Sequence, residues 1–91
     1  MTIELIKVSR EKYDREVVKQ VKNDNKGNVL VLFQDGGLYI AYDEDAKAIV
    51  AQCGLCSCTN ENGETIKFCK DIESYVFARM VKVGYKLCVI E

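Results

Sequence analysis

NVLVLFQDGGLYIAYDEDAK, residues 28–47, decides how this chain of 91 residues folds. Five apolar residues follow Asn28 without interruption, from Val29 to Phe33. A strand apolar on both sides needs cover on both sides, as at the centre of a sheet. Asp35-Gly36 comes next, a dipeptide favoured in tight hairpins because both central positions of a type I′ turn need positive φ. Leu38–Tyr42 returns as the partner strand, with Leu38, Ile40 and Tyr42 on one side and Tyr39 and Ala41 on the other. Asp43 then reads as a helix N-cap, and Glu44 and Asp45 place negative charge where the helix dipole favours it. Ala46, Ile49, Val50 and Cys53 fall at i, i+3, i+4 and i+7, and Gly54 closes the helix.

Outward from this centre the same two periods continue. Towards the N-terminus, Tyr13, Val17, Val18 and Val21 recur between charges and predict an amphipathic helix over 10–22, ended by Asn23-Asp24-Asn25-Lys26-Gly27. Before it, Ile3 and Leu5 alternate as in a short strand over 2–8. Towards the C-terminus, 55–59 and 65–70 read as strands around an Asn62-Gly63 turn. Asp71 caps a third helix with Ile72, Val76, Met80 and Val83 on one stripe, and 85–90 forms a last strand after Gly84. The order β-α-β-β-α-β-β-α-β, without repeat or linker, predicts one α+β domain over 1–91. Its mixed sheet carries three packed helices.

Composition narrows the function classes. With 48% apolar and 30% charged residues the chain is ordinarily globular, which excludes disorder and fibrous classes. No apolar run is long enough for a membrane span and the start lacks a secretory signal, so a cytoplasmic protein with no membrane partner is expected. Five cysteines, an odd number, then suggest free thiols rather than a disulfide framework. Cys53-Gly-Leu-Cys56-Ser-Cys58 has half of a zinc spacing, but no second C-x-x-C pair completes it, so no metal is expected. There is no His, no phosphate-binding Gly-rich loop ending in Lys-Ser/Thr and no nucleophile-base pair, so neither nucleotide, cofactor nor catalysis is expected. Net charge is −1, yet residues 7–26 hold seven Lys/Arg against four Asp/Glu while residues 35–73 hold three against eight. Any nucleic-acid binding would therefore be local and weak.

The string LFQDGGLYIAYDEDAK, residues 32–47, resembles the signature region of the N-terminal, mismatch-reading domain of the MutS DNA-repair family. There a strand, a Gly-Asp-Phe-Tyr-Glu segment and a Glu-Asp-Ala-Lys helix start follow one another. Gly36, Tyr39 and Glu44-Asp45-Ala46-Lys47 match that pattern. ARMVKVGYKLCVIE, residues 78–91, resembles the family's third helix and last strand, and the likeness spans about 13–91. It implies a stand-alone, non-catalytic scaffold from the DNA mismatch repair family, without that family's ATPase. In the family the signature Phe wedges between bases at a mispair and the Glu two residues on hydrogen-bonds the displaced base. Here those positions are Leu38 and Ile40, the family's basic residue after the strand is Gln34, its Asp is Gly37, and ETIKFCK stands in place of its Gly/Pro-rich segment.

Gln34, Gly36, Leu38, Ile40 and Tyr42 are thus the candidate contact residues. Leu can still act as an apolar wedge, whereas Ile40 offers no hydrogen bond, so DNA binding would lack mismatch specificity. Alternatively, the Leu38–Tyr42 strand is a contact surface for a second copy or a protein partner, with no nucleic-acid role. The plainest reading places Leu38, Ile40 and Tyr42 beneath a helix of the chain's own core.

Overall fold

An uninterrupted apolar strand has to be sandwiched, and the computed structural model, which describes residues 10–91, shows the sandwich built around it. The elements are α1 (Arg10–Asp24), β1 (Val29–Asp35), β2 (Leu38–Tyr42), α2 (Asp43–Cys53), β3 (Cys58–Asn60), β4 (Gly63–Cys69), a 3₁₀ turn (Lys70–Ile72), α3 (Glu73–Lys82) and β5 (Lys86–Ile90). The strands form one mixed sheet in the order β3-β4-β2-β1-β5. β1 runs antiparallel to β2 and parallel to β5. The α+β architecture is as the sequence predicts.

Strand periodicity divides the core in two. Leu30 and Leu32, with Tyr39, Ala41, Ile66 and Phe68, face α2 and α3 through Ala46, Ile49, Cys53, Val76 and Met80. Val29, Val31 and Phe33, with Ile40 and Tyr42, face Val17, Val18 and Val21 of α1. Each fully buried side chain of this size stabilises the fold by roughly 1.5–3 kcal/mol, so both helical layers are required.

Several local expectations are corrected. The hairpin's two central residues are Gly36 and Gly37, since Asp35 pairs with Leu38 at the strand ends. Only Gly36 has positive φ, at 61°, the pattern of a type II′ turn rather than I′. β3 is shorter and later than expected, and its turn is Glu61-Asn62 because Asn60 already pairs with Gly63. Asp71 lies in the 3₁₀ turn, and no side-chain bond caps the start of α3. Tyr13 is 64% exposed instead of lying on the buried stripe of α1, while Asp14 is buried. The strand expected over 2–8 lies outside the described residues.

Asp43 is not a capping residue either. It takes φ 51° at the junction of β2 and α2, and its carboxylate turns sideways to the Arg15 Nε (2.9 Å) and the backbone N–H of Glu64 (3.2 Å). Arg15 also donates to the Glu64 carbonyl (3.3 Å), and its guanidinium lies 4.9 Å from the Tyr42 ring centroid. The knot needs a glycine at 63, where φ is 130° and a Cβ would sit 2.3 Å from Asp43 Oδ1. Gly63→Ala is expected to cost roughly 2–3 kcal/mol in urea unfolding, combining backbone strain with displacement of Asp43. A loss within error of zero would show that the knot carries no stability.

Asp45 is likewise more than a dipole partner. Buried at the start of α2, it accepts the Val31 backbone N–H (3.2 Å) and the Lys22 ammonium (2.7 Å). Burial raises its pKa despite the lowering by Lys22 and Val31. The folded state therefore protonates Asp45 before the unfolded chain does, and this group adds stability as pH falls through its raised pKa towards the unfolded value. The stability of the wild type relative to Asp45→Asn should rise as pH is lowered from neutral. A pH-independent difference in unfolding free energy would refute the assignment.

Candidate functional site

The candidate residues lie along one hairpin and divide sharply by depth. Leu38, beside the Gly36-Gly37 turn, is 41% exposed, whereas Ile40 and Tyr42 on the same strand face are 5% and 3% exposed beneath α1. Tip and core thus begin two residues apart. The expected contact surface over Leu38–Tyr42 is corrected accordingly: β2 lies between β1 and β4 and has no free edge. Only its first residue reaches the surface.

The tip is held from several sides. The backbone N–H of Lys70 donates to the Gly37 carbonyl (2.8 Å), tying the turn to the 3₁₀ segment. Arg10 Nη1 donates to Asp35 Oδ2 (2.8 Å) from the start of α1. Gln34, half-buried, places its amide between the Lys70 ammonium (3.1 Å) and the Glu91 carboxylate (3.3 Å). Gln34 is therefore engaged within the protein, which leaves Gly36, Gly37 and Leu38 as the presented segment.

Two tyrosines below the tip perform structural work that periodicity does not reveal. Tyr39 stacks on Phe68 at 5.4 Å, meets Phe77 edge-on at 5.3 Å and donates its hydroxyl to the Glu73 carboxylate. That hydrogen bond, with burial and the negative charge of Glu73, raises the Tyr39 pKa. Tyr42 donates to the buried Asp14 carboxylate at 2.6 Å and packs edge-on against Phe33 at 5.6 Å. Burial first and the Asp14 bond second push its pKa up. Both hydroxyls therefore stay protonated near neutral pH and act as fixed donors. Asp14 and Glu73 are the acceptors, and neither pairing was foreseeable from sequence spacing.

A second concavity, a groove of about 610 Å³ between α1 and the start of α2, is lined by Lys12, Arg15, Lys19, Lys22, Tyr42 and Asp43 among others. Its cations are largely spent internally: Arg15 on Asp43, Lys22 on Asp45 and Lys19 on Glu16 (3.5 Å). The basic residues of α1 thus serve the fold first. The cysteines are free thiols, with Cys53 buried and Cys56, Cys58 and Cys69 exposed. Cys56 precedes β3 rather than sharing its strand.

A hairpin with one exposed apolar tip residue, set into a mixed sheet between α1 and the α2–α3 pair, can be compared with known families. The family model described as MutS domain I matches residues 9–91. The chain belongs to the MutS domain I family. No curated protein matches it. MutS domain I is a non-catalytic recognition domain within its family, of mismatch-recognition type. Within this domain Leu38 stands at the exposed tip and Ile40 lies under α1. No helix among the described residues is long and apolar enough to cross a membrane.

Depth makes two substitutions on one strand diverge. Ile40→Asp would bury a carboxylate against Val17, Val18 and Phe33, at a cost of at least about 3 kcal/mol. Leu38→Asp should change stability by less than about 1 kcal/mol. Equal losses in thermal unfolding would contradict this placement of the two residues.

Proposed function

We propose that this MutS domain I chain is a non-catalytic module that contacts duplex DNA through its β1–β2 hairpin tip, without discriminating mispairs. The observation that carries the reading is Leu38, an exposed apolar side chain on a turn anchored by Lys70 and Arg10; the sequence resemblance sets this residue at the family's wedge position. Apolar wedges in the minor groove part a base step at a cost of a few kcal/mol, and Leu is among the residues that do so. Leu cannot stack as an aromatic ring does, and Ile40 supplies no hydrogen bond to a displaced base. The two contributions that would favour a mispair are therefore both weakened.

Charge supports weak rather than tight binding. Phosphate contacts drive affinity through counterion release, so few uncommitted cations imply a shallow salt dependence. The formal net charge of −1 likewise opposes a broad electrostatic footprint.

Gel shifts with matched and mismatched duplexes over a salt series test the proposal. Binding should appear at low salt, differ by less than about threefold between the duplexes, and weaken with a log–log salt slope of about −1 to −3. Leu38→Asp should abolish it, and Leu38→Phe should restore some preference for the mismatched duplex. Absence of a shift at the lowest salt would overturn the reading.

A further inference from the structure

We propose that Cys56 and Cys58 form a linear two-thiolate site for a soft monovalent cation, Cu(I), at the start of β3. Their directions follow from the residue between them. Ser57 Oγ donates to the Glu64 carboxylate (2.9 Å). Thr59 pairs with Glu64 and Cys58 with Thr65, and Thr65 lies cross-strand from Tyr42, on the α1 side of the sheet. Ser57 therefore points to the α2–α3 side, and alternation turns the residues that flank it to the α1 side. There Cys56 and Cys58 line one cavity of about 260 Å³ together with Glu11 and Lys67, and Ser57 does not.

The number of ligands selects the metal. Structural zinc takes four protein ligands, and among the described residues no group of three or more His, Cys, Asp or Glu is arranged to hold an ion. Residues 1–9 contain neither Cys nor His, so they add no thiolate or imidazole to the pair. Two thiolates leave zinc half coordinated, whereas they complete the linear coordination that Cu(I) adopts. Soft sulfur ligands are also the class that favours Cu(I) over harder cations.

Reach and charge agree with this choice. Cα atoms two residues apart on an extended chain are separated by about 6.5 Å. Metal–sulfur bonds of about 2.3 Å on either side of the ion set the sulfurs about 4.6 Å apart, a span that two side chains on one face cover by rotation about χ1. A disulfide would demand sulfurs about 2.05 Å apart across a single intervening residue, a far tighter closure. Cu(I) held by two thiolates carries one net negative charge, and the Lys67 ammonium lining the same cavity offsets it. Glu11 is partnered within the protein, 3.6 Å from Arg15 Nη1 and accepting from the Asn60 amide (3.4 Å). The site also stands apart from the hairpin tip, since Leu38 pairs with Cys69 at the other end of β4.

Anaerobic titration of the reduced full chain with Cu(I), with bathocuproine disulfonate as competitor, should load one ion per chain. Cys56→Ser or Cys58→Ser should each weaken retention by at least about a hundredfold, because either removes half of the coordination. Cys69→Ser and Cys88→Ser should leave retention unchanged, and X-ray absorption at the copper edge should show two sulfur neighbours. Lys67→Glu should weaken binding by about tenfold through like charge. A peptide of residues 54–60 should bind at least about tenfold less tightly than the folded chain, because β3 pairing holds both thiols on one side in advance. Complete loss of copper to the competitor, loading that persists in C56S/C58S or depends on Cys69 or Cys88, more than two sulfurs at the metal, or a peptide as tight as the chain would overturn the proposal. None of these outcomes depends on DNA binding.

Discussion

The double-sided burial of β1 is the constraint on which the rest of the molecule depends. Leu30 and Leu32 demand one helical layer and Val29, Val31 and Phe33 demand another. Both layers are supplied because the three helices among the described residues are divided between the faces. The connections follow: a tight hairpin keeps β2 beside β1, and the passage through α3 brings β5 back parallel to it. With β2 enclosed between β1 and β4, the free surface of the hairpin shrinks to its turn.

The two helical layers are also fastened by charge. Asp45 is pulled inward by the Val31 N–H and the Lys22 ammonium, which ties α2 to β1 and α1 at one point. Asp43 and Arg15 do the same at the junction of β2, α1 and the β3–β4 hairpin. Acidic residues that look like ordinary dipole partners therefore act as crosslinks between layers. Removing one partner from such a site costs more than the pair contributes, because the remaining charge is stranded.

Much of the architecture was legible because apolar spacing reports burial directly. The bounds of β2, the stripe of α2 and its Gly54 stop, and the two-faced character of β1 all followed from period and composition. What escaped was polar and tertiary. Tyr13 fits a helical stripe yet points outward, while its neighbour Asp14 is drawn in by the Tyr42 hydroxyl, a partner 28 residues away. The same limit applied to the site. Period two puts Leu38, Ile40 and Tyr42 on one face but cannot say where along that face α1 stops covering them. The Gly36-Gly37 turn was displaced by one residue because Asp-Gly and Gly-Gly both satisfy hairpin chemistry, and strand register decides between them.

The hairpin tip has a consequence for how this domain can diverge. Leu38 touches the surface while its strand neighbours carry the core, and its backbone is fixed from outside through Gly37 and Asp35. Position 38 can therefore change identity at little cost to folding, whereas position 40 cannot follow without disturbing α1. Recognition chemistry that needs both positions is easily lost and hard to regain, since one half of the pair drifts freely and the other is locked once packed. The asymmetry acts as an evolutionary ratchet.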